Sequence, residues 1–511
     1  MALTVWIGLL TIRWVFQMLG DDDYGVLTAA GSLLAMVPVV AESLTTSGQR
    51  HLAWEIGRED SEQLGRVFST QFVGCLVLSA AAWVVMVSLA PVVLGWLTIP
   101  AGRETAAMWV YLLSATTIAG VLAFTPYRSF IMARQWFVSV AVVDVLLKLM
   151  TLLMVLVVWR LPVDRLVFYA VGTSSLVLLG SAYWVFVVST VRGGVRPSPR
   201  QYRWQIAREL VGFAGWSSLL PLAFQLRVQA PVLVLNLTYG PQVNGAYAIA
   251  AQVMMYVAQV PLALVSLVSP AVVTAYARGQ RETAERIAMS TAKISSLVLI
   301  CLALPLLLNA EALLDAWLGR VPAYGAALTA ACGFAFLGQT LSSGHLLLMS
   351  AAGDLRGAMV RFVLGDLIGL VAGAVVVATG VGGPLALPIC LVSGSLLTNV
   401  GLVPGYVESR IGFPARKWWG GVVARLLPAV FAAGLALAAL SLMPPGLLRL
   451  GLAYVLCTLS ALVAVAVVGL NRDERAYLAP LLLRLFGRGA HVARASEPVD
   501  STQGGVPRVD P

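Results

Sequence analysis

The chain has 511 residues, of which 59% are hydrophobic and only 11% charged, with a net charge of +10. Soluble domains carry about 25% charged residues, so this composition cannot cover a water-exposed surface and excludes a soluble globular fold. The basic residues are scattered over many short segments, with no stripe interleaved by aromatics, which excludes a nucleic-acid-binding surface.

The apolar residues fall in blocks of roughly 20, the length a helix needs to cross a hydrocarbon core. They do not alternate over about 10 residues as barrel strands do, so an all-α integral membrane protein is predicted. Spans at 1–19, 25–47, 68–94, 107–126, 137–159 and 166–190 make a first six-helix lobe, residues 1–190. A basic linker follows at 191–209. Spans at 210–238, 245–272, 290–310, 325–350, 361–380 and 385–407 make a second lobe, residues 210–407. Two more spans, 421–442 and 449–470, occupy 421–470 and bring the total to about fourteen. The tail, 471–511, has an amphipathic stretch at 481–486 suited to a membrane surface, and its composition predicts disorder from about residue 489.

Loops after even-numbered spans hold 17 Lys and Arg, and those after odd-numbered spans hold five. By the positive-inside rule, both termini are cytoplasmic. The five cysteines stand singly in apolar blocks, and His51, His345 and His491 form no cluster, so neither metal nor cofactor is expected.

The sequence repeats itself at an offset of 220. Gly20 and Gly25 recur as Gly240 and Gly245, and Arg58, Glu62 and Arg66 as Arg278, Glu282 and Arg286. With small drifts, Trp96-Leu97 matches Trp317-Leu318, and Asp144 falls opposite Asp366. An even number of spans per copy makes the repeats parallel. The second copy opens near residue 210, so the first would open ten residues before Met1: either the start lies upstream or the first helix is short. Arg58, Glu62 and Arg66 are spaced to share one helical face, as ordinary ion pairs of an interfacial helix or as a gate between lobes.

The first turn reads Leu19-Gly20-Asp21-Asp22-Asp23-Tyr24-Gly25. An amphipathic segment follows at 54–68, and Phe68-Ser69-Thr70 opens the third span. Over roughly residues 1–410 this resembles the bacterial polysaccharide-exporter flippases of the O-antigen and teichuronic-acid type. These belong to the multidrug/oligosaccharidyl-lipid/polysaccharide (MOP) exporter superfamily. The resemblance implies two lobes of six helices in the bacterial inner membrane. It also implies a cargo, an undecaprenyl-diphosphate-linked glycan, carried from the cytoplasmic to the outer leaflet. Implied partners are membrane lipids and the polymerase or glycosyltransferases of the same pathway. Spans 13 and 14 exceed the twelve of multidrug antiporters and favour the lipid-linked branch.

Charged groups inside spans need a partner or a wet cavity. Arg13 and Arg227 fall on equivalent spans that line the central cleft in this superfamily, and are candidates to attract an anionic head group; a snorkelling Arg is the plainer alternative. Arg50, where the second span meets the cytoplasm, is a further substrate-binding candidate. Gln225 and Gln252 are candidates to bind sugar hydroxyls, though interhelical hydrogen bonds use such amides equally. Asp144 and Lys148, four residues apart, are expected to neutralise each other. Asp366 lacks a Lys four residues on; either it carries a coupling ion or it pairs with Arg361 or another helix. Glu42 presents the same choice. A drug or metabolite antiporter remains the competing transporter reading, and a scaffold that has lost transport also stands. A membrane glycan polymerase or ligase would need a large outward loop or a soluble domain, and neither is in the sequence, so no enzymatic activity is expected.

Overall fold

A computed structural model describes residues 2–32, 34–191, 194–440 and 447–464, and among these there is no strand. The first half comprises α1 (Ala2–Ser32), α2 (Val37–Gly57), α3 (Ser61–Trp96), α4 (Glu104–Ala133), α5 (Phe137–Val158) and α6 (Arg165–Thr190). After the linker come α7 (Trp204–Tyr239), α8 (Pro241–Ala277), α9 (Arg281–Leu308), α10 (Ala310–Leu318), α11 (Gly325–Leu341) and α12 (Ser343–Ala351). The chain continues through α13 (Leu355–Ala378), α14 (Ala386–Leu396), α15 (Val403–Ile411), α16 (Ala415–Trp418), α17 (Ala424–Leu440) and α18 (Leu447–Ala464). By length and composition, ten helices in the described residues can cross a membrane, or up to eleven if Thr4–Ser32 and Leu34–Gly57, bent by 51°, count as one span. That is fewer than the fourteen apolar blocks. The 36-residue α7 is not among the ten, and Gln225, Arg227 and Gln229 interrupt its apolar run. The tail from 471, including 481–486, lies outside the described residues.

The repeat is written in the backbone. Gly20 breaks α1 with φ 86° and ψ 177°, and Gly240 separates α7 from α8 with φ 83° and ψ −177°. Such angles suit only a residue without a Cβ. A second turn occurs four times: Glu59, Gln135, Gly279 and Gly353 all have positive φ, 57°, 61°, 73° and 76°. In each, the left-handed residue and its successor donate to carbonyls of the helix just ended, as Gly279 N–H to Tyr276 and Gln280 N–H to Ala275, both at 3.0 Å. This is the Schellman ending, which satisfies carbonyls that the helix leaves open. Paired turns are 220 residues apart at Glu59 and Gly279, but 218 at Gln135 and Gly353.

Two expectations change as a result. Arg58 and Arg278 lie in the turns, not on the helices of Glu62 and Glu282, so no single face carries the three charges; the Arg66–Glu62 ion pair does form. Counting from the second turn, Asp144 matches Phe362, and Asp366 sits one helical turn further along α13.

Between apolar helices in lipid, hydrophobic burial gains little, so close approach through small residues holds the bundle together. Gly365, Gly369 and Gly373 form such a strip on α13: a Cβ on Gly394 of α14 would lie 2.6 Å from the Gly365 carbonyl and 3.0 Å from the Gly369 Cα. Phe68-Ser69-Thr70 lies inside α3 rather than at its start. Its hydroxyls pin the linker: Ser69 Oγ accepts from the Ser198 amide and Thr70 Oγ1 from the Arg203 amide, each at 3.1 Å.

Candidate functional site

The end of the bundle that carries Gly20 and Gly240 is sealed between the two copies. Gly25 and Gly245, matched in the repeat, touch: a Cβ on Gly245 would sit 3.3 Å from the Gly25 Cα. Around this contact Asn244 Nδ2 donates to the Gly25 carbonyl at 3.3 Å, and Gln17 Nε2 donates to the Leu318 carbonyl at 2.7 Å. Arg320 pairs with Asp21 at 3.0 Å and covers the Phe16 ring. Arg103 joins Asp23 to Asp164, with Nε 2.7 Å from Asp23 Oδ1 and Nη1 2.7 Å from Asp164 Oδ2.

Asp164 also caps α6, accepting from the amides of Leu166 and Val167. Burial opposes its charge, yet the Val167 amide and Arg103 hold its carboxyl below the usual carboxylate range. Burial likewise works against the Arg103 charge, but Asp23 and Asp164 raise its pKa above the ordinary arginine value. A depressed carboxylate contributes fully above its unfolded pKa of about 3.9 and loses that contribution as pH falls through the lower folded value. Between pH 5 and pH 3 the melting temperature of the wild type should therefore fall more steeply than that of Arg103→Gln.

Away from this seal, α2 meets α7: Ser47 Oγ donates to the Leu210 carbonyl at 2.9 Å, and His51 lies 3.9 Å from Glu209. Arg50 is exposed at this contact, its guanidinium 5.1 Å from the Phe213 ring, so it faces a helix neighbour rather than one of the cavities described below.

Three cavities hold several of the remaining intramembrane charges. The first, about 260 Å³, lies between α1, α5, α6 and α8, where Lys148 and Gln252 meet Tyr24, Tyr169, Tyr256 and Thr151. Gly8 makes room for it, since a Cβ there would fall 2.4 Å from the Tyr256 hydroxyl. Lys148 has no ion-pair partner among the described residues. The expected Asp144–Lys148 neutralisation does not occur, because Arg128 of α4 reaches Asp144 at 3.9 Å. That pair faces a second cavity, of about 350 Å³, with Glu42 and Thr45 of α2 and Ser181 of α6. Glu42 is exposed and makes no ion pair among the described residues.

The third cavity, about 370 Å³, has Gln225 and Arg227 of α7 facing Asp366 of α13 and Asn399. Arg227 and Asp366 pair at 3.6 Å with side chains only 13% and 19% exposed, so Asp366 finds its partner on a helix other than that of Arg361. Arg361 instead lies over the Tyr406 ring at 3.7 Å.

Arg13 lines none of these cavities. Gly8, Thr11, Ile12 and Val15 present the cavity face of α1, and Arg13 points elsewhere, 5.9 Å from the Trp14 ring with its Nε buried and unpartnered. His345 is 1% exposed against Trp418 and Phe413, as packing rather than chemistry. Sequence reasoning missed Arg128, which it placed in a loop; only its nearness to the end of α4 could have suggested an inward reach.

Among solved structures, the chain is similar to an inward-facing multidrug resistance MATE family transporter of the MOP superfamily. The TM-score is 0.67 at 14% identity, covering 80% of this chain and 94% of that one. It is similar to the lipid II flippase MurJ in an inward closed conformation, with a TM-score of 0.67 at 10% identity over 94% of this chain and 98% of that one. A MOP superfamily transporter from Pyrococcus furiosus matches with a TM-score of 0.59 at 15% identity, over 81% of this chain and 93% of that one. The chain has the fold of MOP superfamily transporters. No protein-family description and no curated protein matches the sequence.

Proposed function

We propose that the chain is a multi-pass transporter of the MOP superfamily that flips a lipid-linked glycan, of the undecaprenyl-diphosphate type, from the cytoplasmic to the outer leaflet. In this reading it has two six-helix lobes, 1–190 and 210–407, with two further spans appended at 421–470. The basic loops support a reading with both termini in the cytoplasm of a bacterial cell, in which the closed Gly20/Gly240 end faces outward. The observation that carries the reading is Lys148: a cation without a counter-ion, in a cavity rimmed by tyrosines, threonines and Gln252, with walls from both repeats. A fixed positive charge inside a membrane is costly, roughly 2.5–3.5 kcal/mol at a helix centre, and an unpaired one is retained for a ligand. It suits an anionic head group and repels the organic cations that an antiporter would carry. The match to MurJ, which covers 94% of this chain against 80% for the MATE transporter, supports the lipid-linked branch.

Deletion of the gene should remove surface polysaccharide and accumulate its lipid-linked precursor. Lys148→Gln should restore less than a tenth of the wild-type surface glycan at equal protein level. Intact surface glycan with heightened sensitivity to cationic drugs in the deletion strain would favour the antiporter instead.

A further inference from the structure

We propose that the Lys148 cavity and the Glu42–Arg128–Asp144 cavity are two halves of one cargo site, the first taking the sugar-proximal phosphate of the diphosphate and the second the hydroxyl-rich sugar attached to it. This rests on the flippase reading and adds which part of the cargo goes where.

The two cavities share one wall. Asp144 and Leu147 line the one, Lys148 and Thr151 the other, and these four positions fall on one face of α5. Four residues of helix advance about 6 Å along the axis, the reach from a phosphate to the ring of the sugar it esterifies. Lys148 offers a compact, unpaired charge with rotatable donors, suited to one phosphate rather than to the planar bidentate grip of an arginine.

One turn along, the charge balance reverses. Glu42 and Asp144 against Arg128 leave one negative charge in excess, so a second phosphate is disfavoured there. Carboxylates accept strongly from hydroxyl donors, and these two have capacity to spare: Glu42 is unpaired, and Asp144 is held only loosely, at 3.9 Å. Thr45 and Ser181 spend their protons on carbonyls of their own helices, Ala41 and Val177, and so face the cavity as acceptors. At about 350 Å³, the space is within the range of small-molecule sites.

The test is binding of glucose 1-phosphate, inorganic phosphate and glucose to the purified full-length protein in nanodiscs, by calorimetry. Glucose 1-phosphate should bind at least tenfold more tightly than either fragment. Lys148→Gln should bring it down to the level of glucose. Asp144→Asn and, independently, Glu42→Gln should erase at least fivefold of its advantage while leaving phosphate binding unchanged; Glu42 is exposed and unpaired, so its variant carries no folding cost. Equal binding of glucose 1-phosphate and phosphate by the wild type, no saturable binding of any probe, or an undiminished advantage in both acid variants would overturn the proposal. Proteoliposomes separate this from the broader reading. If a lipid-linked glycan moves equally well in the wild type and all three variants, the bipartite site fails and the flippase stands. If sugar phosphate binds as described but no glycan moves, the site stands and the flippase fails.

Discussion

Replacing Arg227 by Met, or Asp366 by Leu, is expected to cost about 3–5 kcal/mol of stability, whereas the double replacement should recover most of the loss. The two side chains, 13% and 19% exposed, pair at 3.6 Å between α7 and α13. Taking one partner away strands a largely buried ion without its counter-charge. Taking both away removes the demand for solvation along with the attraction, and the apolar replacements pack. A double-mutant cycle on unfolding in detergent reads this as a coupling of comparable size. Transport by the double variant then tests what the pair is for. Because Asp366 already takes up the charge of Arg227, glycan export should survive within a few-fold. Loss of export from a double variant as stable as the wild type would mean that the charges act on cargo or on a coupling ion.

The membrane class and the repeat were legible because each rests on a rule with few exceptions. An apolar block of span length has no soluble alternative, and the torsions at Gly20 and Gly240 admit little but glycine. The turn at Glu59 was hidden because an ordinary residue holds the left-handed conformation there, so the helical spacing of Arg58, Glu62 and Arg66 ran through it unbroken. Partner choice was illegible for a different reason. Periodicity places Asp144 and Lys148 on one face, but it says nothing of what another helix brings opposite, and Arg128 decides the pairing from α4. The same limit applies to Arg13: sequence placed it on the right helix but could not orient that helix, and the cavity face passes through Gly8, Thr11, Ile12 and Val15 instead. The Asp144–Asp366 match failed by one turn because the offset between copies drops to 218 at the second pair of turns, a change with no local mark in the sequence.

Gly25→Ala should spring the sealed end open, while Gly245→Ala should leave it nearly closed, although the two glycines are partners in the repeat. A methyl on Gly25 would fall 2.0 Å from the Pro241 carbonyl oxygen and 2.4 Å from its carbon, atoms of the backbone that starts α8. No rotamer change relieves that contact, so α8 must move away from α1. On Gly245 the nearest atoms are at 3.3 Å, which a shift of a few tenths of an ångström accommodates. Overpacking of this kind costs about 1–3 kcal/mol, and the rigid contact at Gly25 belongs at the upper end. The hydrogen bond from Asn244 to Gly25, at 3.3 Å, and the Arg320–Asp21 pair would be pulled apart with it. Thr28→Cys, at a half-buried side chain whose hydroxyl meets Asn244 Oδ1 across the contact, reports the change. In a background without native cysteines, a water-soluble maleimide should label it at least tenfold faster with Gly25→Ala and within twofold of the parent rate with Gly245→Ala. Equal labelling in the two variants would mean that the glycine contact does not hold this end shut, and the closure would then have to be assigned to the Arg103 and Arg320 ion pairs around it.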